Sequence, residues 1–517
     1  MTLLLSISIY SVALAVIFLI VWINVRYKRD RAKMPSDILI ICLAGFGISV
    51  VLNYPGFMSN DSVGQILQAR NGIYSDIHPP LLPLLWHFTD RIIPGPFGML
   101  LLQTTLIWLG TFLVTINWFK GTRFTILSLM PSMIIFYPPI FTISGAIWTD
   151  VLMWAFFTLA IGIAGTIEPS PRQSRRSTYI NITLTVAMIF LGVCVRYNAV
   201  LAAVPIMTLC ILRATRTERY LHGVMASGTL GTLLSLVFLF CVNIFNHSLT
   251  QYHTNTWAFS ALSDISGIIY RMPDERQQQA LYAGIPARLR CSGSLDRILQ
   301  TYDPLVSLAM LWTEDPALCC PKGDGSPSAD GLTSFDTTCF ALTGEEKSSL
   351  LHLWATSVIN HPAAWVSHRV AVFRRVIGLN NPWSPVFMEP NGFDEGIARI
   401  YRDRNPELNK LQRGVKWFFE GTSRTTWLYK PLVYLTLAIG VVVMCIAFLN
   451  SDRLQIALIA LSGLAHEGGL FLIAPTAEYR FSHYMIYTSI LAFTLFLRTF
   501  DLDKNSRTCR LSLGTAL

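Results

Sequence analysis

Long apolar runs, each ended by a short basic or polar stretch, recur from one end of the chain to the other. The runs at 3–25, 37–54, 97–118, 124–143, 150–167, 178–195, 199–213, 222–246, 428–450, 454–474 and 483–499 are each read as a helix that crosses a bilayer. They are continuous rather than alternating in segments of about ten residues, so the pattern predicts helices and not a β-barrel. The 80–93 segment is different: Pro79, Pro80, Pro83, Pro94 and Pro96 crowd it, too many for a clean crossing. It is read as a helix lying at the interface or dipping into it.

Basic residues orient the runs. No charge precedes the first one, whereas Arg26, Lys28, Arg29, Arg31 and Lys33 follow it. It is therefore read as a span with the N-terminus outside, not as a cleaved signal peptide. Alternation then puts Lys120/Arg123, Arg172/Arg175/Arg176, Arg213/Arg216/Arg219, Arg453 and the Lys504/Arg507/Arg510 tail in the cytoplasm, as the positive-inside rule requires,. Three parts follow: an N-terminal transmembrane module at 1–246 with an outer loop at 55–96, an extracytoplasmic loop domain at 247–427, and a C-terminal module with a cytoplasmic tail at 428–517.

Composition agrees. The chain is 52% hydrophobic and 14% charged, against about 25% charged in a soluble protein. The fold class is an all-α, multi-pass protein of the cytoplasmic membrane. The net charge of +9 sits in short loops, which removes nucleic acid as its explanation and leaves membrane lipids as its partner.

Within 247–427, Cys291, Cys319, Cys320 and Cys339 form an even group, which suits one or two disulfides in an oxidising compartment. A metal site is the alternative, although the spacing matches no zinc pattern. Thr343-x-x-Glu346 is a capping box for a helix to about Ile359, and Asn360-His361-Pro362 opens a second helix ending at Gly378,. The second mixes Trp365, Val366, Val370 and Phe373 with His368, Arg369, Arg374 and Arg375. That pattern reads as a solvated basic face over a small core, or as a helix resting on anionic headgroups.

Polar triplets at the outer ends of the runs are the places for chemistry. Asn60-Asp61-Ser62 opens a polar helix, with Ser62-x-x-Gln65 as a capping box and Asp61 either a cap or a catalytic acid,. Asp76 reads as a turn residue. His78-Pro79-Pro80, Trp148-Thr149-Asp150, Arg196-Tyr197-Asn198 and Glu478-Tyr479-Arg480 follow. His466-Glu467 falls inside a span, where charge is costly. The lone Asp501-Leu502-Asp503 falls in the tail and reads as a solvated terminus. Carboxylates and arginines collected on one outer face suit transfer from a lipid phosphate: a carboxylate takes the incoming hydroxyl's proton and arginine holds the leaving phosphate.

The early span followed by Asn60-Asp61-Ser62 through Arg70 and then His78-Pro79-Pro80-Leu81 resembles the GT-C superfamily of integral-membrane glycosyltransferases. Trp148-Thr149-Asp150, the 196–198 turn and Glu478-Tyr479-Arg480 resemble its bacterial members. The span at 3–25 is a departure, and 247–427 matches nothing in that pattern.

The resemblance implies an inverting transferase using a polyprenyl-phosphate sugar at the outer membrane face. Asp61 is then the base, with Asp150 and His78 as catalytic partners. Arg480 and Arg196 hold the donor phosphate, and Asn60, Tyr479, Glu478 and Asn198 contact substrate. The acceptor would be a glycan, a lipid-linked saccharide or another cell-envelope hydroxyl, met by the loop domain. No motif calls for a cofactor; a divalent cation stays open. The alternatives are a membrane acyltransferase with His466 as base, and a transporter or flippase using Glu467 and Arg196.

Overall fold

The computed structural model describes residues 36–119, 126–167, 175–215, 221–253, 255–290, 294–305, 342–380, 384–389 and 407–514. Every named element among them is helical; the only strand-like contacts there are isolated bridges at Phe57–Ala146 and Ser75–Tyr252. The run at 3–25 and all four loop-domain cysteines fall outside the described residues.

In chain order the first module holds α1 (Ser36–Asn53), α2 (Asn60–Asn71), α3 (Leu81–Ile92), α4 (Phe97–Trp118), α5 (Ile126–Ile135), α6 (Pro138–Ser144), α7 (Thr149–Ala164), α8 (Arg175–Val195), α9 (Ala199–Thr215) and α10 (Leu221–Leu249). The loop region contributes α11 (Trp257–Arg271), α12 (Glu275–Gly284), α13 (Ala287–Arg290), α14 (Leu295–Thr301), α15 (Gly344–Asn360), α16 (Pro362–Val376) and α17 (Lys410–Thr425). The last helices are α18 (Pro431–Ala447), α19 (Ser451–Ile473) and α20 (His483–Gly514).

Among the described residues, α4, α8, α10 and α19 are long and apolar enough to cross a membrane, and α1, α7, α9 and α18 are shorter apolar helices. Apolar residues stand exposed along α1 (Ile40, Leu43, Ile48, Val51), α10 (Leu230, Val237, Phe240) and α18 (Ile439, Val443, Ile446). In water such stripes would be a liability; in lipid they face their solvent. Helix α7 is instead buried along its whole length. It lies tight against α4, because a Cβ on Gly110 would stand 2.8 Å from the Leu159 backbone nitrogen. Small residues let two helix backbones approach this closely.

One expectation needs correction. The 124–143 run is not a single span but α5 and α6, joined through Tyr137 in an extended conformation. Pro138 and Pro139 have no N–H to continue the helical ladder, and proline forces its predecessor out of the helical region. Helix α6 then ends against the 55–96 loop, where the Phe57 N–H donates to the Gly145 carbonyl (2.9 Å).

The helices that alternate in direction have two distinct ends. At one end Arg213 donates to the carbonyls of Gly165 (2.9 Å) and Ile167 (3.3 Å) and stacks over Trp118 at 4.9 Å, so it caps α7,. At the other end lie the start of α7, the α8–α9 turn and the α19–α20 turn, where the polar triplets gather.

Helices α11–α15 share a small core of their own around Leu262, Ile265, Ile269, Ile285 and Leu350, and Ile77 of the 55–96 loop packs onto it, while Val372 and Val376 of α16 pack with Leu470 and Ala474. The capping box of Thr343 and Glu346 starts α15 as expected (3.2 and 2.8 Å), and α16 begins at Pro362. The basic face of α16, however, is not simply solvated. His368 and Arg369 are buried, with Arg369 Nε 2.6 Å from Asp264 Oδ1 on α11. Arg369 also donates to the Ala474 carbonyl at the end of α19 (3.0 Å). The loop domain therefore braces the turn that carries Glu478 and Arg480.

Candidate active site

The 55–96 loop begins with a cap, and it is not Asp61. Ser59 is the N-cap of α2; its N–H donates to Ser62 Oγ (3.2 Å), and that hydroxyl donates to the Ile147 carbonyl (2.8 Å). The expected Ser62–Gln65 box is thus replaced by Ser59–Ser62, one turn earlier. Asp61 sits in the first helical turn, where the dipole favours a carboxylate,. Relieved of capping, it faces the α19–α20 turn and the far end of its own loop. Its Oδ2 is 2.7 Å from Arg480 Nη1 and its Oδ1 is 3.7 Å from His78 Nε2. Both Asp61 and His78 keep side chains 31% exposed, open to a substrate.

Arg480 stands on a single 3-10 turn, Tyr479–Ser482, between α19 and α20. Its Nε is 2.5 Å from Glu478 Oε2 and its guanidinium lies 4.7 Å over the Trp148 ring. Trp148 in turn donates from its indole nitrogen to Ser59 Oγ (2.8 Å). One aromatic plane thus links the α2 cap, the start of α7 and the arginine.

A second pair lies alongside. Arg196, in the α8–α9 turn, places Nη1 2.7 Å from Asp150 Oδ2, whose side chain is 2% exposed. Arg196 Nε donates to Asn198 Oδ1 (2.9 Å). Phe481 touches both cations: Arg196 at 4.8 Å and Arg480 at 5.5 Å, the distances of cation–π contact. Asp61, His78, Asp150, Arg196, Asn198, Glu478 and Arg480 therefore come together from four loops. The Asn60 side chain is outside the described residues. The Tyr479 hydroxyl points away, donating to the Pro139 carbonyl (2.9 Å).

The electrostatics follow from this packing. Removal from water by itself would raise the Asp61 carboxyl, but Arg480 and then His78 hold it well below the usual carboxylate range,. Glu478 goes the other way: burial raises it, and Arg480 offsets only part. Burial also pushes Arg196 down, opposed by Asp150. Arg480 is driven up, because Glu478, Asp61 and Asp150 outweigh its own desolvation.

Beneath the turn, His466 and Glu467 are fully buried. His466 Nε2 lies 3.1 Å from the Phe481 carbonyl, and Glu467 Oε1 accepts from Ser482 Oγ (2.8 Å). Both hold the turn from within the helix bundle, and the His466 ring expected as an acyltransferase base is fully buried. Asp76 is at a bend, with its N–H on the Tyr252 carbonyl (3.1 Å) and its carboxylate 3.5 Å from His253 Nδ1. Among the described residues no three His, Cys, Asp or Glu side chains are grouped to hold a metal ion.

Sequence reasoning missed the 384–389 stretch. Phe387 packs on Trp148 with ring centroids 4.5 Å apart, and the Glu389 carbonyl accepts from the Met58 N–H (3.4 Å). The stretch has no periodicity that would mark it. Phe481 was within reach, as an aromatic next to Arg480.

No family model matches the chain, and no curated protein does. Among solved structures, the crystal structure of ArnT from Cupriavidus metallidurans bound to undecaprenyl phosphate overlaps 88% of this chain and 77% of its own, at 11% identity and a TM-score of 0.30. So loose an overlap says nothing about individual residues, and the roles of Asp61, Arg196 and Arg480 rest on their own geometry.

Proposed function

We propose that this chain is a glycosyltransferase moving a sugar from a polyprenyl-phosphate donor to a hydroxyl of a glycan or lipid-linked acceptor, at the outer face of the cytoplasmic membrane. The observation that supports it is Asp61 held between His78 and Arg480 beside a second guanidinium, Arg196. Nucleotide sugars are made in the cytoplasm, so an outward site calls for a lipid-carried donor.

In this reading the donor phosphate binds Arg480, and Arg196 lies behind it. Guanidinium forks match phosphate oxygens well. While Arg480 holds Asp61, the carboxylate is a weak base. A phosphate that draws Arg480 toward itself frees Asp61 and raises its basicity, so donor binding arms the base. The acceptor oxygen then attacks the anomeric carbon from the face opposite the phosphate. The new C–O bond forms as the C–O bond to phosphate breaks, and the configuration inverts. Asp61 takes the acceptor proton, and the bond's electrons leave on the polyprenyl phosphate, stabilised by the arginines. His78 orients donor or acceptor, and Asp150 keeps Arg196 in place.

The test is Asp61→Asn in purified, folded protein supplied with a polyprenyl-phosphate sugar. Loss of transfer with donor binding retained is the expected result. Transfer near the wild-type rate removes Asp61 from the chemistry.

A further inference from the structure

Helix α17 has a pattern the reaction does not use. At 16 residues it is too short and too charged to cross a bilayer,. Its inner side is fixed to the spans. The Gln412 amide donates to the carbonyls of Leu52 (3.0 Å) and Tyr54 (2.7 Å), and Phe419 meets Phe141 edge-on at 6.1 Å.

Its outer side is divided along its length. Lys410, Arg413 and Arg424 are exposed on one flank, and Leu411 and Phe418 are exposed on the other. At about 100° per residue the two groups lie roughly a third of a turn apart. Trp417 stands within the basic flank, between Lys410 and Arg424 on the helical wheel, and is 75% exposed,. Below the apolar flank opens a cleft of about 380 Å³, whose walls include Leu52, Phe136, Phe141 and Val415. At Leu52 that wall runs on into the exposed apolar stripe of α1 at Ile48 and Val51. Past the end of α17, Trp427 is 67% exposed with the Lys430 amine 4.3 Å over its ring, and α18 starts at the next residue.

We propose that α17 lies in the plane of the bilayer surface and docks on anionic phospholipid headgroups, with Lys410, Arg413 and Arg424 toward the phosphates and Leu411 and Phe418 among the acyl chains. Two observations choose lipid over a protein partner or a second copy. The apolar flank is continuous with the lipid-facing stripe of α1. The charge is mainly basic, since the helix's one carboxylate, Glu420, lies 3.9 Å from Lys416 and leaves Lys410, Arg413 and Arg424 toward the headgroups, with tryptophans at the same level,. The contact would also set the height of the reaction site. Lys416 on α17 pairs with Glu389 (2.9 Å), and the Glu389 carbonyl accepts from the N–H of Met58, next to Ser59 (3.4 Å). The proposal does not depend on which reaction the site performs.

The test uses the full chain in nanodiscs of phosphatidylcholine alone or mixed with phosphatidylglycerol. Hydrogen exchange over 410–425 is followed in each, and the lipids that stay with detergent-purified protein are counted by mass spectrometry. The expected result is slower exchange in the mixed discs and enrichment of phosphatidylglycerol over phosphatidylcholine. Arg413→Gln and Arg424→Gln should each lower that enrichment about fivefold. Arg413 also donates to the Leu408 carbonyl (2.9 Å), so Arg424→Gln alone is the deciding variant if the helix start loosens. Equal exchange in both discs with no lipid preference overturns the proposal, as does protection that grows with protein concentration, which would mark a second copy.

Discussion

Asp61 Oδ2 and Arg480 Nη1 are 2.7 Å apart although one lies in the first turn of α2 and the other in the turn between α19 and α20. Arg480 reaches Asp61 with one nitrogen and Glu478 with another. Lysine has the charge but a single point of contact. Arg480→Lys is therefore expected to fold and to lose transfer by about a hundredfold, the scale of removing one preorganised donor. Steady-state rates with a polyprenyl-phosphate sugar check this, and a loss under threefold would discount the fork.

The acid limb of the pH profile reports the base. A base works only when deprotonated, and in the free enzyme Arg480 and His78 keep the Asp61 carboxyl low against the effect of burial. The limb in kcat/KM should therefore lie at or below the ordinary carboxylate value of about 3.9. His78→Asn leaves Arg480 in place and removes a smaller stabiliser of the anion, so the limb moves to higher pH without activity vanishing. A limb that stays put separates His78 from the carboxylate.

Asp150 and Arg196 form the more enclosed pair, with side chains 2% and 17% exposed. Removing one partner leaves the other charge unpaired away from water. Asp150→Ala should cost about 3–5 kcal/mol, seen as a lower midpoint of thermal unfolding in detergent. The double variant Asp150→Leu/Arg196→Met should recover much of that stability and still lack transfer. A double variant no more stable than Asp150→Ala would show that the pair's charges are not the cause.

His368 gives the loop domain a pH dependence. Its ring has Tyr302 Oη at 2.8 Å, Ser263 Oγ at 3.4 Å and Asp264 Oδ1 at 3.5 Å. Burial, then Arg369 and Arg271, lower it to about 3. An unfolded histidine titrates near about 6.5. Between these values the unfolded chain binds a proton that the folded one refuses, so stability falls as pH drops through that window and is level above it. The hydrogen-exchange protection factors of α11 and α16, each rate taken relative to the intrinsic rate at that pH, should fall on acidification from about pH 7 to about pH 4. His368→Gln should flatten the response.

Gly267 tests the same contact from the other side. A Cβ there would stand 2.1 Å from His368 Nδ1, a clash that α11 and α16 can relieve only by separating. Gly267→Ala is expected to destabilise the loop domain by about 1–3 kcal/mol, despite alanine's better helix propensity. Unfolding followed by tryptophan fluorescence would show it, and a neutral substitution would mean that the helices can slide apart freely.

Several elements were legible because their cause is local. The apolar runs that became helices α1, α4, α7, α8, α9, α10, α18, α19 and α20 follow from length and lack of charge, and the α15 cap from Thr343 and Glu346. The break between α5 and α6 was also local, written in Pro138-Pro139, but the apolar run hid it. His368 and Arg369 were misread for a different reason. A polar pair on an amphipathic helix looks the same whether water or a distant carboxylate receives it, and Asp264 is on another helix.

The sequence by itself determined the apolar runs and the polar triplets that end them, since length and lack of charge are read directly along the chain,. Tertiary structure decided which of them meet. It moved the α2 cap to Ser59, turned Tyr479 toward Pro139 and set Asp61 against Arg480. Ion pairing depends on separations of a few ångströms, and helix packing sets those separations, not the order of residues along the chain.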